Sequence, residues 1–324
     1  MSTDWRSEIN NYLTVDLHCD ALSAVKDGRV LAEGRRGGHF DLPRMEKGGL
    51  WVQVLSIFVH PEWVPRNLWW KKVGEQVNRL HTALESSDRW RLALSPEDVD
   101  ENYQNGVRSL ILEIEGLHPI EDDPDLLEKL WNFGVRIYTL TWNNSNRFAH
   151  SAKEYQNRGL TDDGREIVRE IDSLGGIVDL SHSSDRTFFD VIDMGISPML
   201  SHSCVREIKN STRNATRLMI EALGESGGVM GVNFFPGFLS SKSYGDVTSE
   251  DVVAHIERIV EWGGPEVPAL GSDFDGVKAL PADIPDVASF WRIAQSLEEK
   301  GFDEDSIAGI LGENFMDYWE AVIG

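Results

Sequence analysis

Residues 163–202 read DGREIVREIDSLGGIVDLSHSSDRTFFDVIDMGISPMLSH and hold the repeating unit of the chain twice over. Asp163 to Leu174 and Arg186 to Met194 carry apolar residues at helical spacing. Gly176 to Ser181 and Pro198 to Ser201 are short apolar runs, suited to strands buried on both faces. Apolar strands alternating with amphipathic helices imply a parallel sheet covered by helices. Each strand in this stretch also stops at a histidine, His182 and His202.

The same rhythm extends in both directions. Further strands are expected at Thr14 to Leu17, Leu50 to Val59, Ser109 to Ile114, Val135 to Thr141, Gly228 to Phe235 and Pro268 to Ser272. Helical patterns fill Arg66 to Ser86, Asp123 to Asn132, Ala215 to Glu225, Ser249 to Trp262 and Val287 to Lys300, while Gly34 to Gly38 marks a loop. Eight strand units in 324 residues favour an α/β fold of the closed (β/α)8 TIM-barrel type over an open doubly wound sheet. No Pro-, Gly- or Ser-rich linker interrupts the series, so residues 1–324 are read as one barrel domain.

Composition narrows the function. Thirty-one Lys and Arg against 54 Asp and Glu give a net charge of −23, which repels phosphate backbones and anionic lipid; no nucleic acid and no membrane is expected as partner. Apolar runs are too short to span a bilayer, and the charged N-terminus does not resemble a signal peptide, so the expected location is cytoplasmic. Cys19 and Cys204 are too few for a disulfide framework. Gly159 to Gly164 has P-loop spacing but lacks the following Lys-Ser/Thr. Asp98, Asp100 and Asn102 begin like a calcium loop, yet Tyr103 and Ser109 stand where Gly and Glu are required. No dinucleotide fingerprint or nucleophile elbow occurs.

The residues that end the apolar runs are more telling. The first strand ends in His18 and Asp20, whose i, i+2 spacing points both to one side; Cys19 between them points away. Other strands end in Glu115, His182, His202 and Asp273. The C-terminal ends of barrel strands form one mouth, where these three histidines, two aspartates and one glutamate would converge. Such a set suits zinc, with manganese or cobalt as substitutes, and its size suits two ions bridged by Glu115. The remaining histidines, His39, His60, His81, His118, His150 and His255, lack this placement. His60 does close a strand, but Pro61 follows it, and a surface or structural role is expected.

The strand ends and their flanks resemble the membrane dipeptidase (renal dipeptidase) family of zinc metallopeptidases, whose barrels are of the metal-dependent amidohydrolase type. The resemblance rests on Asp16-Leu-His18-Cys-Asp20, Ile114-Glu115-Gly116, Leu140-Thr141-Trp142-Asn143, Asp179-Leu180-Ser181-His182, Ser201-His202-Ser203, Arg213-Asn214, Val232-Asn233-Phe234, Gly271-Ser272-Asp273-Phe274-Asp275-Gly276 and Gly312-Glu313-Asn314-Phe315, in this order across nearly the whole chain. It implies that His18, Asp20 and Glu115 hold one Zn2+ and Glu115, His182 and His202 the second. It further implies that Asp273 transfers protons and that Arg213 binds the substrate carboxylate. Trp142 stands where animal members carry a substrate-contacting histidine, and it cannot accept a proton.

The implied activity is hydrolysis of small dipeptides with a free C-terminal carboxylate, including L,D-dipeptides, by a metal-bridging hydroxide. An amidohydrolase acting on N-acyl amino acids, cyclic amides or lactones would use the same metals, and a non-catalytic metal- or peptide-binding barrel is the reading from another class. Eleven tryptophans suggest an exposed aromatic surface, compatible with a homodimer.

Overall fold

The computed structural model describes residues 3–324. Its sheet has nine strands: β1 (Val15–Asp16), β2 (Val52–Phe58), β3 (Trp90–Leu92), β4 (Arg108–Glu115), β5 (Val135–Thr139), β6 (Ile177–Asp179), β7 (Met199–Ser203), β8 (Val229–Val232) and β9 (Pro268–Leu270). All pair in parallel, in the order β1-β2-β4-β5-β6-β7-β8-β9, with β3 beside β4. The first and last strands meet. Leu17 N–H donates to Leu270 C=O at 2.8 Å, Asp20 N–H to Phe274 C=O at 2.8 Å, and Cys19 bridges in parallel to Phe274. The eight expected strands are the eight staves of this barrel. The additional strand, β3, was not expected because three residues with exposed Arg91 in the middle carry no strand-length apolar signal.

Alternation along the strands divides the core in two. Leu110, Leu112, Ile114, Tyr138, Val178, Leu200 and Leu270 face the helices, as does Cys19. Ile111, Ile137, Ile177, Met199, Val229 and Ala269 face the barrel axis at its base. Two residues further along these strands the inward positions turn polar, at Glu113, Thr139, Asp179 and Ser201, all fully buried. The mouth residues follow. Helices 162–173, 185–192 and 217–226 start at Thr161, Ser184 and Thr216, whose hydroxyls accept a backbone N–H three residues ahead and fix each chain reversal.

The expected tryptophan-rich surface is not found: among the described residues only Trp63 is largely exposed, at 80 %. Several others are half-buried beneath arginines, with Arg108 lying 3.3 Å from the Trp51 ring centre and Arg136 3.7 Å from that of Trp131. The composition argument for a homodimer therefore lapses. No helix of the described residues is long and apolar enough to cross a membrane.

The base of the barrel is plugged by helix 314–323, which presents Phe315 and Trp319, both fully buried, to the axial core. Trp319→Ala should lower the free energy of unfolding by about 3–5 kcal/mol, the usual range for deleting a buried aromatic side chain. Urea denaturation checks this; a loss below about 1 kcal/mol would mean the plug contributes little.

Candidate metal centre

The six strand-end residues meet at the C-terminal mouth. His182 Nε2 lies 3.0 Å from Glu115 Oε1, His202 Nε2 3.6 Å and His18 Nε2 4.0 Å from the same oxygen. The two nitrogens of His182 and His202 are 3.0 Å apart, and the rings of His18 and His202 stack with centres 3.8 Å apart. On the other side His18 Nε2 is 3.4 Å from Asp20 Oδ2. Ligand atoms of His18, Glu115 and His202 fall within 4.8 Å of one another, as do those of His18, Asp20 and Asp273. A Cβ at Gly276 would collide with a carboxylate oxygen of both Asp20 and Asp273, so only glycine fits beside this pair.

Two of the mouth residues, His182 (φ 67°) and Asp273 (φ 62°), adopt left-handed backbone conformations that cost a non-glycine residue energy. They turn the chain at the strand ends so that these side chains enter the mouth. Asp275 (φ 65°) is held by Arg35 and by His39 N–H at 2.7 Å, which pins the segment carrying Asp273 to the loop after β1.

The electrostatics follow from crowding acceptors in a buried space. Burial, then repulsion from Asp20, pushes the Glu115 carboxyl well above its ordinary range, and burial raises Asp273 to about 6. Burial holds His182 and His202 well below the usual imidazole value. Burial is the largest single effect on His18 and opposes its charge, but Glu113, Asp20 and Glu115 together outweigh it and raise its pKa. His18 Nε2 and Asp20 Oδ1 are buried without a hydrogen-bond partner. Lone pairs gathered this closely, with few donors to meet them, fit divalent cations.

Arg213 reaches the same pocket from the loop after β7. It is only 4 % exposed; it donates to His202 C=O at 3.0 Å and Ser203 Oγ at 3.3 Å, while its Nε has no partner. No carboxylate lies within 4.0 Å of it among the described residues. Burial lowers its pKa. The pocket holds about 400 Å³ and is lined also by Trp142, Phe58, His60, Lys153 and Phe238.

Residues 6–323 match the sequence pattern of the family described as Membrane dipeptidase (Peptidase family M19). The chain belongs to this family. It is 32 % identical over 299 residues to an uncharacterized dipeptidase of Schizosaccharomyces pombe, an alignment covering 87 % of this chain and 73 % of that one. Its structure matches that of a metallopeptidase described as dipeptidase AC of family M19 with a TM-score of 0.89 at 25 % identity, covering 95 % and 98 % of the two chains. A metallopeptidase from Rhodobacter sphaeroides, crystallised with a phosphinate mimic of L-Ala-D-Ala, has the same fold, with a TM-score of 0.89 at 24 % identity over 95 % and 99 % of the chains. Membrane dipeptidases are metal-dependent hydrolases, and the barrel here is theirs.

Three residues of this family member were given no role at the site by the sequence reading, although Asn233 lies in a motif, Val232-Asn233-Phe234, that carries the resemblance. Glu113 Oε2 lies 2.8 Å from His18 Nδ1, so it fixes the ring's tautomer and turns Nε2 towards the mouth. Its signal was its position two residues before Glu115 on the same strand face. Asn233 donates to Asp273 Oδ2 at 2.9 Å. His60, expected to be structural or at the surface, lines the pocket. Glu113→Ala should weaken metal binding about 10- to 100-fold by freeing the His18 ring. Competition against a chelator measures this, and unchanged affinity would remove Glu113 from that role.

Proposed function

We propose that this chain is a binuclear, zinc-dependent dipeptidase, one domain over residues 1–324, that cleaves small dipeptides bearing a free C-terminal carboxylate, L,D-dipeptides among them. The observation carrying this reading is Arg213, a buried guanidinium with no carboxylate partner, facing a cluster of metal-type acceptors across one small pocket. A buried cation costs free energy unless an anion joins it, and a planar fork is matched by a carboxylate. A free carboxylate on the substrate supplies that anion.

His18, Asp20 and Glu115 would hold one ion and Glu115, His182 and His202 the other; the shared approach of all three imidazoles to Glu115 Oε1 supports Glu115 as the bridge. Two zinc ions, when bound, acidify water and polarise a carbonyl oxygen. Arg213 anchors the substrate carboxylate, which sets the distance from the chain end to the scissile bond. Asp273 accepts a proton from the attacking water and returns it to the departing amine nitrogen, as an amide leaving group requires. Asn233 fixes the carboxylate by occupying its other oxygen. Trp142, standing where animal members carry a substrate-contacting histidine, cannot accept a proton and lines the substrate's surroundings instead.

Purified protein should carry close to two zinc ions per chain, and Glu115→Gln should lose at least one, since a neutral amide bridges poorly. Elemental analysis decides this; one ion in the fully loaded wild type would end the binuclear reading. Arg213→Ala should reduce kcat/KM on dipeptides by roughly 2–4 kcal/mol in equivalent free energy, with little change on dipeptide amides. Equal losses on acid and amide would make Arg213 structural.

A further inference from the structure

An aromatic track leads out of the pocket on the side away from Arg213. Trp142 lies 6.2 Å from the His182 ring, between centres, and 4.9 Å from both Phe58 and His60. His60 in turn stacks face to face on Trp63, with centres 3.9 Å apart and planes within 1°. The track thus runs from a residue of the metal cluster to a tryptophan that is 80 % exposed, although tryptophan is the side chain with most to gain from burial.

The wall is prebuilt. Pro61 and Pro65 restrict the loop, Val64 N–H bonds His60 C=O at 3.1 Å, and Trp69 Nε1 donates to Val64 C=O at 2.9 Å. Beneath it His118 Nε2 is 2.7 Å from Val59 C=O. A rigid aromatic face binds with little ordering entropy to lose.

Its position around the barrel says which part of a substrate it meets. Arg213 follows β7, and the Phe58–Trp63 segment ends and follows β2; in the closed order β1-β2-β4-β5-β6-β7-β8-β9 these two strands stand four apart, on opposite sides of the mouth. A dipeptide's carboxylate belongs to its leaving residue. With that carboxylate on Arg213 and the scissile carbonyl at the cluster, the N-terminal residue points towards β2.

Resting on the dipeptidase reading above, we infer that Phe58, His60, Trp63 and Trp142 form the subsite for the N-terminal side chain and select dipeptides whose first residue is aromatic or large and apolar. Lys153 lines the same pocket and disfavours a cationic side chain there. The face of the track is π-surface and hydrocarbon, which rewards flat apolar groups.

The test is kcat/KM of the zinc-loaded enzyme on Phe-Gly, Leu-Gly, Gly-Gly, Asp-Gly and Lys-Gly. Phe-Gly and Leu-Gly should exceed Gly-Gly by about tenfold or more. Trp63→Ala should shrink the Phe-Gly to Gly-Gly ratio several-fold, and Trp63→Phe should restore most of it. A flat panel, or a maximum at Asp-Gly or Lys-Gly, overturns the subsite assignment while leaving the dipeptidase reading intact, as does a ratio unmoved by Trp63→Ala. No hydrolysis of any dipeptide by the loaded enzyme would instead bring down the dipeptidase reading and this inference with it.

Discussion

The backbone hydrogen bond from Leu17 to Leu270 closes the sheet, and the site exists only because of that closure. Left open, the same strands would carry His18 and Asp20 at one edge and Asp273 at the other, with Glu115, His182 and His202 distributed between them. Closed, they turn one inward row into a ring, and the i, i+2 alternation of each strand becomes a stack of layers along the axis. The lowest layer is apolar and supports the barrel. The one above it is polar, and the uppermost bears the acceptors.

The middle layer determines how rigidly the upper one is held. His18 rests on Glu113, which with Asp179 flanks the Thr139 hydroxyl at 2.5 and 2.6 Å, and Asp179 accepts from Ser201 N–H and Oγ. The Thr139 hydroxyl has a single hydrogen and so can donate to only one carboxylate; the other contact needs a carboxyl proton. Asp16, pushed up to about 6 by burial, plays the matching part below Asp273 by accepting from Ser272 N–H and Oγ at 2.6 Å. His18, His182, His202 and Asp273 are hydrogen-bonded to Glu113, Asn143, Ser201 and Asn233 respectively, which is what fixes ligand orientation.

This layering explains what could be read from the chain. A polar residue ending an apolar run is conspicuous, so His18, Asp20, Glu115, His182, His202 and Asp273 announce themselves, and eight such runs give the barrel. Glu113 is less conspicuous because a mid-strand carboxylate looks like an interruption until the end of β1, two strands away in the barrel, supplies its histidine, 95 residues away in sequence. His60 illustrates the opposite failure. Its strand-end position was visible, but its place in the pocket depends on how the loop 60–68 returns, which is set by tertiary contacts such as the Trp69 to Val64 hydrogen bond. The tryptophans misled for a similar reason: their number is a property of composition, whereas their exposure depends on which arginines lie over them.

Charge gives the architecture its last constraint. A chain of net charge −23 repels a substrate carrying a carboxylate, and three of its carboxylates, Asp20, Glu115 and Asp273, stand at the mouth around a single buried arginine. Under the binuclear reading, two divalent ions set four positive charges against those three and reverse the sign of the field inside the pocket. Arg213 and Lys153 then reinforce that field instead of merely offsetting the carboxylates. The acceptor cluster would thus act twice: it holds the ions that supply the chemistry, and through them it makes an acidic protein receptive to an anionic substrate at this one mouth.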